Sequence, residues 1–264
     1  MTEFSGHGDP ARSLALLWRT RERAGRKGKP ELSVEGIVRA AIEIADTAGL
    51  GALSMRRVAE QLGVGTMSLY THVPGKAELI DLMLDTVYGQ TARPLDVPGG
   101  WRARLEQVAR ENWALVLRHP WTLQVATGRP PLGPNLVAKY EYELSAVSGI
   151  GLTEVEMDAV LTLVLGHVHS AARLAVEGAQ AVQRTGMTDE QWWWTVAPLL
   201  SKVLDPARYP TAARVGTAAG AAYGGTYDPQ YAFEFGLQRI LDGIEALVKS
   251  RHWPPAQPAR EPGP

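Results

Sequence analysis

The chain has 264 residues, 45% of them apolar, enough to bury a sizeable core in one or two domains. It has no cysteine, which excludes a disulfide framework, a thiol redox switch and a cysteine zinc site. The net charge of -1 hides an asymmetry: residues 1–76 carry 11 Lys or Arg against 8 Asp or Glu, or +3, while residues 77–264 carry 16 against 20, or -4. That is the balance of a basic reader of an anionic partner mounted on an acidic body.

The basic excess begins in residues 1–31, which read as a flexible arm. Arg19, Arg21, Arg23, Arg26, Lys27 and Lys29 stand against Glu22 alone, and Pro30 keeps the run from continuing as helix. Two readings stay open: an arm whose arginines enter a DNA minor groove, or a solvated tail. No run of about 18 uninterrupted apolar residues and no signal-peptide core is found, so a cytoplasmic protein without membrane association is expected.

Residues 32–76 read as three helices. Leu32, Ser33 and Ile37 make a staple and cap, and Ile37, Ala41, Ile44, Ala45 and Ala48 then recur at helical spacing until Gly49. Ser54 caps a second helix between the staple residues Leu53 and Val58, with Met55, Val58, Ala59 and Leu62 on one face. Gly63 stops it, and Val64, Gly65 and Leu69 repeat the staple for a third. Two short helices joined by a glycine-containing turn form a helix-turn-helix, with the motif at about 54–73. Leu69 and Val73 face the small core, which turns Met67 and Thr71 outward and leaves Ser68 and Tyr70 on the flanks.

This stretch resembles the TetR, or tetracycline-repressor-like, family of transcriptional regulators. The resemblance is carried by Ala45, Asp46 and Gly49, by Arg-x-Val-Ala-x-x-Leu-Gly-Val ending at Val64, and by Leu-Tyr-x-His-Val from Leu69 to Val73 followed by Lys76. MSLYTHV with PGK after it is most similar to the branch of the tetracycline repressors themselves. The resemblance implies that Arg56 reaches a base edge or phosphate and that Thr66, Met67, Ser68 and Thr71 lie nearest the major groove. It also implies backbone contacts by Tyr70 and His72. Lys76 begins the next helix, where free N–H groups and the dipole favour a phosphate. Met67 offers a thymine methyl a contact but no hydrogen-bond code.

Residues 77–251 read as helical throughout: about Lys76 to Gln90, Trp101 to Arg118, Asn135 to Ser148, Thr153 to Gln180 with a Thr153–Glu156 capping box, and a final helix opening at Asp228 and Pro229. Residues 252–264 are proline-rich and are expected to be disordered. Ala159–Val168 is apolar nearly all round, and the last helix presents Phe233, Leu237, Ile240, Leu241, Ile244, Leu247 and Val248. The resemblance implies a four-helix homodimer interface from these two helices, against packing inside one subunit.

The resemblance also implies an effector cavity among the middle helices. Trp113, Trp121, Tyr140, His167, His169 and Trp193 are its candidate lining, against the alternative that each is an ordinary core residue, and an apolar or aromatic small molecule is the expected ligand. His167 and His169 are two apart on a helix and point about 200° from each other, so they do not share a metal, and no metal or cofactor is expected. The expected fold is all-α: an N-terminal three-helix helix-turn-helix DNA-binding domain followed by a larger helical ligand-binding and dimerisation domain. The expected function is a ligand-responsive homodimeric repressor of a near-palindromic double-stranded operator. Two alternatives are a helical binding or interaction protein without a DNA-dependent role, and an enzyme using His167 or His169.

Overall fold

The computed structural model describes residues 3–6, 8–19 and 32–251. Among these the fold is carried by helices: α1 (Pro10–Leu17), α2 (Val34–Ala48), α3 (Met55–Leu62), α4 (Thr66–Tyr70), α5 (Lys76–Tyr88), α6 (Gly100–Arg118), α7 (Pro134–Ser145), α8 (Glu154–Thr185), α9 (Asp189–Val203), α10 (Pro210–Tyr223) and α11 (Pro229–Arg251). Strands β1 (Glu3–Phe4) and β2 (Val125–Ala126) pair in parallel, Glu3 opposite Val125.

The caps form where the residues place them. Ser33 Oγ accepts from the Gly36 amide at 3.1 Å and Ser54 Oγ from the Arg57 amide at 3.2 Å, each satisfying a donor that the first helical turn leaves open. Gly63 sits at φ 66°, and the Val64 amide reaches back to Ala59 O at 3.0 Å, so α3 closes in the left-handed turn that glycine adopts without steric cost. Leu69 and Val73 are fully buried, which fixes the rotation of α4. The Thr153–Glu156 capping box forms and α8 runs on to Gly186 at φ 68°.

Two cores result. The first joins α2, α3, α4 and α5, with Leu17 from α1 and Leu115, Trp121 and Val125 from further along the chain. Helix α5 is buried on almost every side, Asp81 and Asp85 included, because it meets α2, α1 and α7. The second core lies where α8 meets α6 and α11. Helix α8 is long and apolar enough in composition to cross a bilayer. Its Val160, Leu161, Val164, Val168 and Ala172 are instead buried in this second core.

Within the expected arm over 1–31, the described residues are held to the body. Ser5 donates from its amide to Ala126 O at 3.2 Å and from Oγ to Arg129 O at 2.7 Å, and Trp18 Nε1 donates to Leu132 O at 2.8 Å. Residues 3–6 and 8–19 are thus docked on the body. Two-residue strands leave no alternating pattern to read, and their pairing partner is more than a hundred residues away. Arg21, Arg23, Arg26 and Lys27 lie outside the described residues, as does 252–264.

A polar contact ties α2 to the turn that follows α6. Asp46 Oδ1, at the C-terminal end of α2, accepts from Trp121 Nε1 at 2.8 Å and lies 2.8 Å from His119 Nδ1. Gln90 Oε1 is 2.9 Å from the other ring nitrogen, and both rings are almost wholly buried. Trp121→Phe keeps most of the apolar volume and deletes the indole donor to a carboxylate, so urea unfolding is expected to register a loss of about 1–3 kcal/mol. An unchanged midpoint would mean that the contact does not stabilise the junction.

Candidate nucleic-acid interface and ligand cavity

On α4, Met67 is 76% and Tyr70 41% exposed, and Ser68 and Thr71 are exposed while Thr66 and His72 are half-buried. The side chains expected to read DNA therefore stand away from a helix whose Leu69 is wholly buried. Thr71 Oγ1 donates to Ser68 O at 2.7 Å, leaving its methyl and its oxygen lone pairs for a partner. Arg56 Nε is 2.7 Å from Glu60 Oε1 on the same exposed turn. Such an exposed pair is weak and exchanges readily for a phosphate.

Lys76 starts α5, but its Nζ is 2.7 Å from Glu3 Oε1 in a half-buried ion pair. The N-terminal segment therefore supplies a carboxylate where the sequence leads one to expect a phosphate. Arg19 pairs with Glu35.

Between α5, α6, α7, α8 and the turn after α6 lies a cavity of about 310 Å³, at the lower end of the ~300–1,000 Å³ usual for small-molecule sites. Leu115, Val116, Leu136 and Leu165 supply its apolar wall. Its polar lining comes from Tyr88, Asn112, Lys139, His169 and Arg173. Behind this wall Lys139 Nζ is 2.6 Å from Glu143 Oε1, with both side chains buried, and Asn112 Nδ2 donates to Glu143 at 2.6 Å and to Val108 O at 2.9 Å.

Burial shifts the titrations here. Desolvation holds the Lys139 ammonium below its ordinary pKa, with Glu143 pulling the other way. The Tyr88 hydroxyl is pushed up to about 12 by burial and then by Glu143 and Asp85. His169 is pushed down by desolvation, then by Lys139 and Arg173. Desolvation also raises Asp85, although the amides of Leu136, at 2.9 Å, and Asn135 donate to it and tie α7 to α5.

Of the six residues expected in the cavity, only His169 lines it. Trp113 stacks on Phe233 with ring centroids 4.5 Å apart, inside the second core. Trp121 sits at the junction with α2, one residue before the cavity wall at Thr122. Tyr140 is exposed and donates to Asp158 at 2.7 Å. Trp193 is half-buried, with its ring against Gly220 of α10. His167 Nε2 is 2.9 Å from Phe233 O and the rings are stacked, so this side of α8 meets α11 of the same chain while His169 turns to the cavity. The 200° separation of the two histidines is realised.

Sequence reasoning missed Tyr88, Asn112, Lys139 and Arg173, which come from four different helices and have no local spacing in common. One signal was present. Lys139 and Glu143 stand at i and i+4 on the side of α7 that also carries Leu136, so an oppositely charged pair lies on an apolar face, where it must be buried.

Comparison with known proteins places this geometry among bacterial regulators. Residues 37–83 match the family described as bacterial regulatory proteins, tetR family, and residues 93–248 match the tetracyclin repressor-like C-terminal domain. The HTH-type transcriptional repressor DrrR1 of Streptomyces coeruleorubidus is 48% identical over 252 residues, covering 95% of this chain and 91% of that one. The crystal structure of apo ActR from Streptomyces coelicolor superposes with a TM-score of 0.68 at 28% identity, over 85% of this chain and 100% of that one. ActR in complex with actinorhodin gives 0.69 at 28% identity, over 83% and 97%.

Glu143→Gln removes the counter-charge of a buried ammonium and is expected to cost about 3–5 kcal/mol in denaturant unfolding. Since Lys139 is already held below its ordinary pKa, it loses its proton sooner in the folded than in the unfolded variant. The deficit should therefore narrow as the pH rises toward the lysine range. A deficit constant from pH 7 to 10 would contradict this account.

Proposed function

The chain belongs to the TetR family of bacterial regulatory proteins, and on that premise we propose that it is a homodimeric repressor that leaves a near-palindromic operator when a small molecule fills the α5–α8 cavity. It is a ligand-responsive, sequence-specific DNA-binding regulator of transcription. The reading assigns base and groove contacts to Thr66, Met67, Ser68 and Thr71, and phosphate or backbone contacts to Arg56, Tyr70, His72 and Lys76.

One observation carries the coupling. The short segment 119–127 holds both ends of the device: His119 and Trp121 grip Asp46 of α2, while Thr122, Leu123, Val125 and Thr127 line the cavity. Val125 also pairs with β1, whose Glu3 holds Lys76. A ligand that displaces Leu123 or Val125 therefore pulls on α2 and on the start of α5 together, which gives the two conformations different affinities for ligand and for DNA.

Dimerisation is supported by apolar surface that one subunit leaves bare. Helix α9 has no buried residue and exposes Trp192, Trp194, Leu199 and Val203, while Leu163 of α8 and Tyr231 and Phe235 of α11 are also exposed. A two-fold pair covers this surface and presents two α4 helices to half-sites one or more helical turns apart. ActR was solved with actinorhodin and with (S)-DNPA, which supports a cavity-sized organic effector here. The enzyme reading is disfavoured by His167, whose half-buried ring is stacked on Phe233 and bonded to its carbonyl.

Selection from a random DNA pool by the purified protein is expected to enrich a near-palindrome with a steep salt dependence. An unenriched pool from a folded dimer would count against the reading. Glu3→Gln releases Lys76 and is expected to tighten operator binding about two- to fivefold at low salt, the range of a weak ion pair. It should also steepen the salt slope by about one ion. Equal affinity and slope would show that Lys76 does not reach a phosphate.

A further inference from the structure

We propose that the ligand of the α5–α8 cavity is an organic acid, a flat apolar body whose carboxylate or ionised phenol is directed at Arg173 and His169. This rests on reading that cavity as the effector site, and it narrows the expectation of an apolar or aromatic molecule. Every charged side chain lining the cavity is basic, and among the described residues no Asp or Glu lines it.

The basic groups are not equally available. Lys139 is already held by Glu143 at 2.6 Å and is buried with it. Arg173 is different: it is exposed at the cavity wall, its guanidinium donates to Leu123 O at 3.2 Å, and it has no carboxylate partner among the described residues. Its remaining N–H groups match the planar fork of a carboxylate. Neither ring nitrogen of His169 has a hydrogen-bond partner among the described residues.

The groups around His169 are cationic or uncharged and polar, apart from the Glu143 carboxylate behind the wall. Arg173 stands one turn along on α8, Lys139 with Glu143 comes from α7, and Tyr88 of α5 and Asn112 of α6 contribute uncharged polar groups. Tyr88 is a protonated phenol at neutral pH, as any tyrosine is, and burial raises its pKa further, to about 12. Desolvation and the two cations lower the His169 pKa in the free protein, and an anion beside it acts in the opposite sense, so binding favours proton uptake. An amine in the same place would meet Lys139 and Arg173 with like charge. A wholly apolar ligand would strip water from them without replacing its hydrogen bonds. The wall of Leu115, Val116, Leu136 and Leu165 accepts the rings, and about 310 Å³ suits a molecule of roughly three fused rings rather than a larger one.

The test uses the full-length protein and two matched probes, anthraquinone-2-carboxylate and anthraquinone-2-carboxamide, titrated at pH 7.5 by calorimetry in buffers of different ionisation heat. The acid is expected to bind at least tenfold more tightly than the amide, with net proton uptake for the acid alone. Arg173→Met and His169→Phe are each expected to remove most of the preference while changing amide affinity less than twofold. Equal or tighter binding of the amide, loss of both probes equally in Arg173→Met, or no binding of either probe overturns the acid assignment. Val116→Trp, which fills the cavity, separates the two levels. If the acid still binds that folded variant as tightly, the cavity reading itself falls. If the wild type prefers the amide and Val116→Trp abolishes its binding, only the acid assignment falls.

Discussion

One oxygen of Asp46 receives the indole N–H of Trp121 and lies against an imidazole nitrogen of His119, and the rest of the molecule is organised around this junction. Asp46 closes α2, the helix on which α3 and α5 pack. His119 and Trp121 begin the turn that walls the cavity. A hydrogen bond from a buried ring to a carboxylate is both strong and directional, so a shift of the turn is passed to α2 more than it is absorbed by loose side chains. The apolar contacts around it, Leu115 and Val125 among them, belong to the same core as the helix-turn-helix. The reader and the cavity wall therefore share packing as well as the polar contact.

The N-terminal segment adds a second link of another kind. β1 pairs with β2 at the cavity wall and carries Glu3 to Lys76. The bond is electrostatic and half-exposed, so it is weak and sensitive to salt. The junction at Asp46 transmits position, whereas the Glu3–Lys76 pair sets how much positive charge the reader presents. Both originate in the same few residues around 119–127.

Inside the body, polarity is concentrated where the helices diverge. α6, α8 and α11 close on Phe233, Leu237, Val164 and Val168, but α5, α6, α7 and α8 leave a cavity lined by a buried ammonium and a buried amide, with the carboxylate that pairs with both lying behind the wall. A buried ion pair is a costly way to fill space, and replacing it with apolar residues is often stabilising. Retaining Lys139 and Glu143 shapes the field inside the cavity, and that field distinguishes this site from a general apolar pocket.

The helix-turn-helix was legible in the chain because its determinants are local: Ser33 and Ser54 as caps, Gly63 as a left-handed stop, and Leu69 with Val73 one turn apart. Each acts within four or five residues, and α2, α3 and α4 appear where they predict. The family resemblance followed from the same stretch, and the Thr153–Glu156 box marked the start of α8 for the same reason. Side-chain destinations in the body were not legible. Helical spacing shows that His167 and His169 diverge but not which neighbour each meets, and aromatic residues fill a core as readily as they line a cavity, as Trp113 does against Phe233. The docking of residues 3–6 and 8–19, the partner of Lys76 and the grouping of Tyr88, Asn112, Lys139 and Arg173 all join positions distant in sequence. The short-range pattern of the chain determined which segments are helical and which face of α4 is free, because capping and periodicity act along the backbone. Only the tertiary structure decided what lines the cavity and what holds the reader to it, because those contacts are set by how separate helices pack.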